Sequence, residues 1–188
     1  MTTAFIVLSA ILTLVSSIPY IVDVIKGKTK PRIVSWFNWS LLTGIATAAA
    51  YADGQIPSAV LTLAATIETA LIVILGLKHG DRKFERFDVV CQIGAVSGLI
   101  LWVIFSSPVI AIIATVTIDF VALLPTLRHS WLKPDEETIS TFVLSGIGAL
   151  FAALAVTNPT ISGLTYPIYI VLANFALVAL LMLRRHSA

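Results

Sequence analysis

The sequence predicts an all-α membrane protein with seven membrane-spanning helices. The first observation is the composition: of 188 residues, 58% are hydrophobic and only 12% are charged. Soluble domains contain about 45–50% apolar and about 25% charged residues. The second observation is that apolar stretches of about 20 residues, the length of a helix that crosses a bilayer, recur along the whole chain. This composition disfavours a disordered chain, a nucleic-acid-binding protein and an ordinary cytosolic enzyme.

Charged residues, proline, glycine and asparagine divide the chain into seven apolar stretches. They cover approximately residues 3–25, 33–52, 56–78, 87–106, 108–128, 138–157 and 161–184. Without a break at Ser106-Ser107-Pro108, one helix would extend over 87–128, which is too long for a bilayer. We expect the first stretch to be a span rather than a signal peptide, because no Lys or Arg precedes it and no small-residue cleavage pattern follows it.

The distribution of basic residues predicts an orientation. All 12 Lys and Arg residues lie in alternate connections between the stretches: Lys26, Lys28, Lys30 and Arg32; Lys78, Arg82, Lys83 and Arg86; Arg128 and Lys133; Arg184 and Arg185. Cytoplasmic loops of membrane proteins carry an excess of Lys and Arg. We therefore expect the N-terminus outside and the C-terminus in the cytoplasm, in a bacterial-type inner or plasma membrane.

The two halves of the chain resemble each other at an offset of 106 residues. At this offset Pro19 aligns with Pro125, and the first three stretches align with the last three. An odd helix between two such units gives both the same orientation, as in parallel repeats related by an axis along the membrane normal. We therefore predict a first three-helix unit at 1–86, a linker helix at 87–106 and a second three-helix unit at 107–188.

The arrangement of three helices, one linker and three helices, with Pro19 and Pro125 near the cytoplasmic ends of the first helix of each unit, resembles the SWEET and PQ-loop superfamily. Tyr20 and Thr126 follow these prolines, at the position of the family's glutamine. The resemblance implies a carrier that moves a sugar, an amino acid or a vitamin-like solute by alternating access. The KDEL receptor is a relative with a sorting role, and nicotinamide-riboside carriers share the arrangement. A non-transporting receptor and a vitamin carrier therefore stay open as alternatives.

The two aligned prolines are candidates for a gate. Proline in a helix interior removes one backbone hydrogen bond and clashes with the preceding turn, at a cost of about 3 kcal/mol. The resemblance implies that Pro19 and Pro125 act as hinges of a cytoplasmic gate. The alternative is a pair of kinks that packing neighbours tolerate. We favour the hinge, because the two prolines occupy equivalent positions.

Two carboxyl groups are predicted at the depth of the membrane midplane. Glu68 and Asp119 each lie about eleven residues from the outer end of their stretch, which is about 16 Å at 1.5 Å per residue. A charged side chain there costs at least about 2.5–3.5 kcal/mol, so each should face a cavity, find a polar partner or stay protonated. We expect proton coupling at Glu68 and Asp119; the alternative is a neutral acid hydrogen-bonded for packing. Glu68 aligns with Asn174, and the resemblance implies that paired polar residues at this depth line the substrate site.

An aromatic and polar run, Ser35-Trp36-Phe37-Asn38-Trp39-Ser40, opens the second stretch. Tryptophan is common at membrane interfaces, which is one reading. The other is a stacking wall for a solute, because aromatic faces attract apolar groups and cations. Trp36 aligns with Phe142, so one aromatic ring from each unit is expected beside the solute, and Asn38 is expected to hydrogen-bond the solute or the gate.

No catalytic, cofactor or metal motif occurs in the sequence. A phosphate-binding glycine loop, a Ser–His–Asp set and HExxH are absent, and one cysteine excludes an internal disulfide. Two mid-depth acids could do acid–base chemistry, but no nucleophile accompanies them, so an intramembrane enzyme is the third choice. The expected partners are the bilayer and a small solute, without nucleic acid; a homo-oligomer is left open. Asp135-Glu136-Glu137 is expected to favour the N-terminus of the sixth stretch through the helix dipole.

Overall fold

The computed structural model describes residues 2–52, 56–80, 108–156 and 161–186, with scattered positions between 86 and 104. This part of the chain is helical and contains no strand, so the predicted all-α class is confirmed for it. The helices are α1 (Thr2–Ile25), α2 (Ile33–Ala52), α3 (Ile56–His79), α4 (Pro108–Leu132), α5 (Ile139–Leu154) and α6 (Ile161–His186). A short 3₁₀ helix, Pro134–Glu136, precedes α5.

Six of the seven predicted stretches correspond to these helices. The predicted linker at 87–106 lies mostly outside the described residues. α4 ends four residues later than predicted, because His129 and Ser130 are buried rather than exposed at a helix end. Among the described helices, two are long and apolar enough to cross a membrane: Thr2–Ile25 and the part of α6 from Leu164 to His186. Seven membrane spans remain a prediction.

The helices pack as a closed ring of six. α3 lies between α1 and α2, and α6 lies between α4 and α5. The ring is completed by contacts of α1 with α5 and of α2 with α4. The order around the ring is therefore α1, α3, α2, α4, α6, α5, and its centre is reached by residues from all six helices.

The described basic segments come together at one end of the ring, which we call the basic end. Lys30 in the α1–α2 loop pairs with Glu136 in the α4–α5 loop, with 2.7 Å between Nζ and Oε1. From the end of α6, Arg184 and Arg185 donate hydrogen bonds to the carbonyl oxygens of Trp131 and Pro134. These segments therefore lie at the same end of the ring; the side of the membrane on which they lie stays a prediction.

The distribution of polar and apolar side chains is the reverse of that in a soluble protein. Hydroxyl and carboxyl groups such as those of Ser16, Glu68 and Asp119 are buried between the helices. Large aliphatic side chains on the outer faces are exposed, including Ile74 (63%) and Leu183 (70%). A water-soluble helix normally presents its polar face outward and its apolar face to the core. The apolar exterior is therefore suited to a nonpolar surrounding.

The turn after α3 provides a stability prediction. A Cβ atom on Gly80 would lie 2.8 Å from the carbonyl oxygen of Pro31 and 2.7 Å from that of Gly76. Because both obstacles are backbone atoms, Gly80→Ala is expected to destabilise the fold by about 1–3 kcal/mol. Gly44→Ala is the control, since its Cβ would lie 3.7 Å from Thr66 Cγ2, an ordinary contact. Thermal unfolding in detergent measures both; equal midpoints would contradict the prediction.

Candidate functional site

A cavity of about 250 Å³ lies inside the ring. Every helix contributes side chains to its lining: Ser9, Thr13, Trp36, Trp39, Thr43, Ala65, Glu68, Thr69, Asp119, Leu123, Thr141, Phe142, Ser145, Ala149, Ala152, Tyr166, Pro167, Ile170, Ala173, Asn174 and Leu177. The cavity is smaller than the roughly 300–1,000 Å³ typical of pockets for drug-sized ligands. It therefore suits a compact solute.

Glu68 enters the cavity from α3 and is only 6% exposed. Its Oε1 accepts a hydrogen bond from Ser16 Oγ of α1 at 3.1 Å. Ser16 Oγ also lies 2.7 Å from the carbonyl oxygen of Thr13, and Ser145 of α5 donates to Ser16 Oγ at 3.0 Å. A serine hydroxyl has a single hydrogen, so Ser16 cannot donate to both acceptors at once. A proton on Glu68 Oε1, donated to Ser16 Oγ, lets the Ser16 hydroxyl donate to Thr13 while it accepts from Glu68 and Ser145.

Asp119 enters from α4 and is also 6% exposed. All the described hydrogen-bond partners of its carboxyl group are donors, in contrast to the shared Ser16 hydroxyl beside Glu68. Tyr169 OH donates to Oδ2 at 2.8 Å and Tyr166 OH to Oδ1 at 3.5 Å, and the Trp39 indole also hydrogen-bonds this carboxyl group. Hydrogen bonds from several neutral donors favour the ionised form of a carboxyl group.

Two further predicted site residues from α5 and α6 also line the cavity. Asn174 lines it from α6, and its amide nitrogen donates to the carbonyl oxygen of Ile170 at 2.9 Å. Phe142 lines it from α5 and is 5% exposed. On the other side, Trp36 stands edge-on to Trp39, with ring centroids 5.1 Å apart. Asn174, Phe142 and Trp36 therefore line one cavity with Glu68 and Asp119; their roles in solute binding stay predictions.

Asn38 is buried but is not among the described residues that line the cavity. The described lining positions of α2 are Trp36, Trp39 and Thr43, which follow helical spacing along one face. Asn38 is two positions after Trp36, which turns its side chain about 200° around the helix. A hydrogen bond of Asn38 to the solute or to the gate therefore stays a prediction.

Towards the basic end, the cavity is closed by a buried apolar layer. Tyr20, Trp36 and Phe142 form its aromatic part, with 4.8 Å between the ring centroids of Tyr20 and Trp36 and 6.3 Å between those of Tyr20 and Phe142. Leu177 and Leu181 of α6 pack into the same cluster. A solute in the cavity cannot reach the basic end unless this layer opens.

Beneath this layer, the Glu137 carboxyl group is buried in the α4–α5 connection. Tyr20 OH donates to Glu137 Oε2 at 3.0 Å, and Trp36 Nε1 donates to Tyr20 OH at 3.1 Å. Burial raises the pKa of Glu137 from 4.5 to about 8; the Tyr20 hydrogen bond opposes the rise, and the charge of Glu136 adds to it. The expected role of this acid at a helix N-terminus is corrected: its carboxyl group is held by Tyr20, and no acid lies in the first turn of α5.

The two interhelical loops cover this end. Lys30 N–H donates to the carbonyl oxygen of Glu136 at 2.9 Å, beside the side-chain pair of the same two residues. Thr138 Oγ1 donates to Asp23 Oδ2 at 3.0 Å and lies 2.5 Å from Thr29 Oγ1. The connections after α1 and after α4 therefore form a lid over the apolar layer.

Pro19 and Pro125 lie inside α1 and α4, each one residue before a fully buried side chain of the closed end. Pro19 directly precedes Tyr20. Immediately before it, Ser16 and Ser17 hydroxyls donate to the carbonyl oxygens of Thr13 and Leu14. Such hydroxyl bonds to the preceding turn often bend helices. The prolines are thus placed between the cavity and the layer that closes it.

The geometry also identifies residues of the site that the sequence did not single out: Tyr166 and Thr141 line the cavity, whereas Tyr169 belongs to the site through its hydrogen bond to Asp119. Tyr166 and Tyr169 are three positions apart on α6, and that spacing within an apolar stretch was the available signal. Thr141 is 1% exposed and lines the cavity, and its hydroxyl has no hydrogen-bond partner among the residues that the structure describes. Among the described residues, no group of three or more His, Cys, Asp or Glu side chains could hold a metal ion.

The fold and the site define the class of this protein: an all-helical chain with an apolar exterior and a central cavity that contains two carboxyl groups. No protein-family model matches the chain, and no curated protein or solved structure matches it either.

Proposed function

We propose that this protein is an integral membrane carrier that moves a small polar solute by alternating access. The observation that carries the proposal is the cavity at the centre of a six-helix ring, closed at one end by Tyr20, Trp36 and Phe142. A carrier needs a solute site that each side of the membrane reaches in turn. The proposed mechanism is opening of the basic end and closure of the opposite end around the same site.

The distribution of polarity supports the placement in a membrane. The outer faces of the helices are aliphatic, whereas the polar side chains lie inside. Polar groups within a bilayer face the bundle interior or a cavity, as Glu68 and Asp119 do here. We propose seven spans, with residues 87–106 as the fourth, and the basic end in the cytoplasm according to the excess of Lys and Arg.

The helix starts support two parallel three-helix units. Thr2 and Pro108 begin α1 and α4, and Ile33 and Ile139 begin α2 and α5; both pairs are 106 positions apart. The contacts between helices agree with this correspondence of α1 with α4 and of α2 with α5, since α1 packs on α5 and α4 packs on α2. The cavity contains five aligned pairs: Thr13 with Asp119, Trp36 with Phe142, Trp39 with Ser145, Thr43 with Ala149, and Glu68 with Asn174. This is the arrangement of the SWEET and PQ-loop superfamily, in which we place the chain by proposal.

In the proposed mechanism the solute site includes Glu68, Asn174, Trp36 and Phe142, and Glu68 binds the coupled proton. The hydrogen-bond arrangement around Ser16 supports a proton on Glu68. Midway through the cycle the cavity is sealed at both ends, so that the solute is not released to the wrong side.

A proline variant tests the hinge. Pro19→Ala and Pro125→Ala are each expected to preserve folding and to slow uptake about fivefold or more, because a straightened helix changes the gate and leaves the pocket intact. The initial uptake rate into proteoliposomes is the measurement. Ile18→Ala is the control, since Ile18 neighbours Pro19 and is 56% exposed. Unchanged uptake rates in both proline variants would contradict the hinge and show that the prolines are kinks that the packing tolerates.

The carrier function is tested by uptake and exchange in proteoliposomes. Labelled glucose, lysine, choline and thiamine are offered outside, with the same unlabelled compound inside. A carrier accumulates at least one of them by exchange across the bilayer. Binding in detergent with no exchange of any bound compound would instead identify a non-transporting receptor of the same fold and overturn the carrier proposal. Exchange of thiamine but of none of the other three would favour the vitamin-carrier alternative.

A further inference from the structure

The charges that line the cavity have one sign. Glu68 and Asp119 are both part of the lining, and none of the described lining residues is Lys, Arg or His. The charged groups at the basic end lie beyond the apolar layer of Tyr20, Trp36 and Phe142. A solute therefore meets two carboxyl groups and no compensating positive charge from the described lining.

The two carboxyl groups have environments that separate their roles. Asp119 is held by three donors, Tyr166, Tyr169 and Trp39. Among the described residues, the Glu68 carboxyl group has a hydrogen bond only with the Ser16 hydroxyl, which also lies within hydrogen-bond distance of a backbone carbonyl group. Two acids in one site with such different partners are suited to different roles. The donors around Asp119 suit an anion, and the shared hydroxyl beside Glu68 suits an acid that carries a proton.

Aromatic rings surround the anion. Trp39 from α2 and Tyr166 from α6 line the cavity beside Asp119, and the rings of Tyr166 and Tyr169 are 6.2 Å apart. The faces of Trp and Tyr rings attract cations, and more strongly where water is excluded. A cation next to a carboxylate bordered by aromatic rings is stabilised both by the negative charge and by the ring faces.

We propose that the cavity selects a small organic cation and that Asp119 supplies its counter-charge. This inference rests on the proposed carrier function and names the class of its solute. The cation contacts the faces of Trp39 and Tyr166 while its charge lies near the Asp119 carboxylate. The volume of about 250 Å³ limits it to a compact ammonium compound. An uncharged sugar would leave the Asp119 charge without a cation.

Matched pairs of probes test the charge without changing the shape. Choline is compared with dimethylbutanol, its uncharged isostere, and propylammonium with propanol. Binding to the purified full-length protein in detergent is followed by tryptophan fluorescence, since Trp36 and Trp39 line the cavity. We expect each cation to bind at least about tenfold more tightly than its uncharged partner, because a charge pair is strong in a site of low dielectric. Equal affinities within both pairs, or no binding of either cation, would overturn the proposal.

A variant locates the counter-charge. Asp119→Asn keeps the size of the side chain and is expected to remove the preference for the cations. Asp135→Asn removes an acid that is 83% exposed outside the cavity and is expected to retain it. Thermal midpoints confirm that each variant is folded. If Asp119→Asn is folded and keeps the preference, Asp119 is not the counter-charge and the proposal is wrong.

Exchange of glucose without cation binding would overturn this inference and leave the carrier function standing. Cation binding without exchange would overturn the carrier function alone.

Discussion

Replacement of Glu68 by glutamine is expected to uncouple solute movement from protons. Glutamine keeps the shape of the side chain and its contact with Ser16, but it has no titratable proton. The variant should therefore exchange solute across the bilayer and fail to accumulate it in response to a pH gradient. With one proton per solute, the parent gains about tenfold accumulation per pH unit of gradient, since one pH unit is about 1.36 kcal/mol. The glutamine variant gains none.

Uptake into proteoliposomes between external pH 5 and 8, at constant internal pH, measures this effect. Ser17→Ala is a matched control, because Ser17 adjoins Ser16 but its hydroxyl donates to the carbonyl oxygen of Leu14 in its own helix. Asp119→Asn is measured in parallel, because the sequence predicts proton coupling at Asp119 as well and the proposed counter-charge role excludes it. Three superimposable pH profiles for the parent, Glu68→Gln and Asp119→Asn would remove the proton from the mechanism and leave facilitated diffusion.

Glu137 is expected to make closure of the basic end dependent on pH. In the closed structure, burial raises the pKa of this acid to about 8. When the layer opens or the protein unfolds, water reaches the carboxyl group and its pKa returns towards 4.5. Between these values the closed form keeps a proton that the open form loses. Stability of the closed form is therefore complete at low pH and falls as the pH rises towards 8. The shift corresponds to at most about 5 kcal/mol.

Glu136 has the opposite dependence and must be separated from this effect. Burial acts to raise the pKa of Glu136, but the Lys30 hydrogen bond and the charges of Lys133, Lys30 and His129 outweigh it, so its pKa is lowered. Its contribution to stability is present above its ordinary pKa and lost as the pH falls. The two neighbouring acids therefore titrate in different pH ranges.

Thermal unfolding between pH 6 and 9 measures the Glu137 effect. The parent is expected to lose stability across this range, whereas Glu137→Gln, which is uncharged at every pH, should lose much less. Tyr20→Phe removes the hydroxyl that donates to Glu137 Oε2 and should steepen the loss, because the ionised form then lacks its donor. Asp135→Asn should follow the parent. A Glu137→Gln profile parallel to that of the parent would show that this acid does not govern the closure.

Much of the helical framework could be predicted from the sequence. α2 begins and ends at the predicted residues, and α1 and α3 each differ by one residue at an end. Proline, glycine and charged residues end apolar stretches for local reasons, which a single sequence contains. The end of α4 was missed because burial of His129 and Ser130 depends on neighbours far along the chain.

Cavity residues were predictable where depth and alignment determined them. Glu68, Asp119 and Asn174 were expected from their depth, and Trp36 and Phe142 from their alignment; all five line the cavity. Depth along a helix follows from the rise of 1.5 Å per residue. Which face of a helix is turned inward does not, and this is why Asn38, expected beside the solute or the gate, is not among the described residues that line the cavity.

What the sequence determined by itself is the helical class, the positions of most helix ends and the distribution of charge along the chain, because these depend on neighbouring residues. The tertiary structure decided which polar groups meet. Tyr20 and Glu137 are 117 positions apart, and Asp119 and Tyr169 are 50 apart. Such pairs are formed when the ring of helices closes, since a buried polar group must find a partner wherever the packing brings one. The different environments of Glu68 and Asp119, from which their roles are inferred, arise only from that packing.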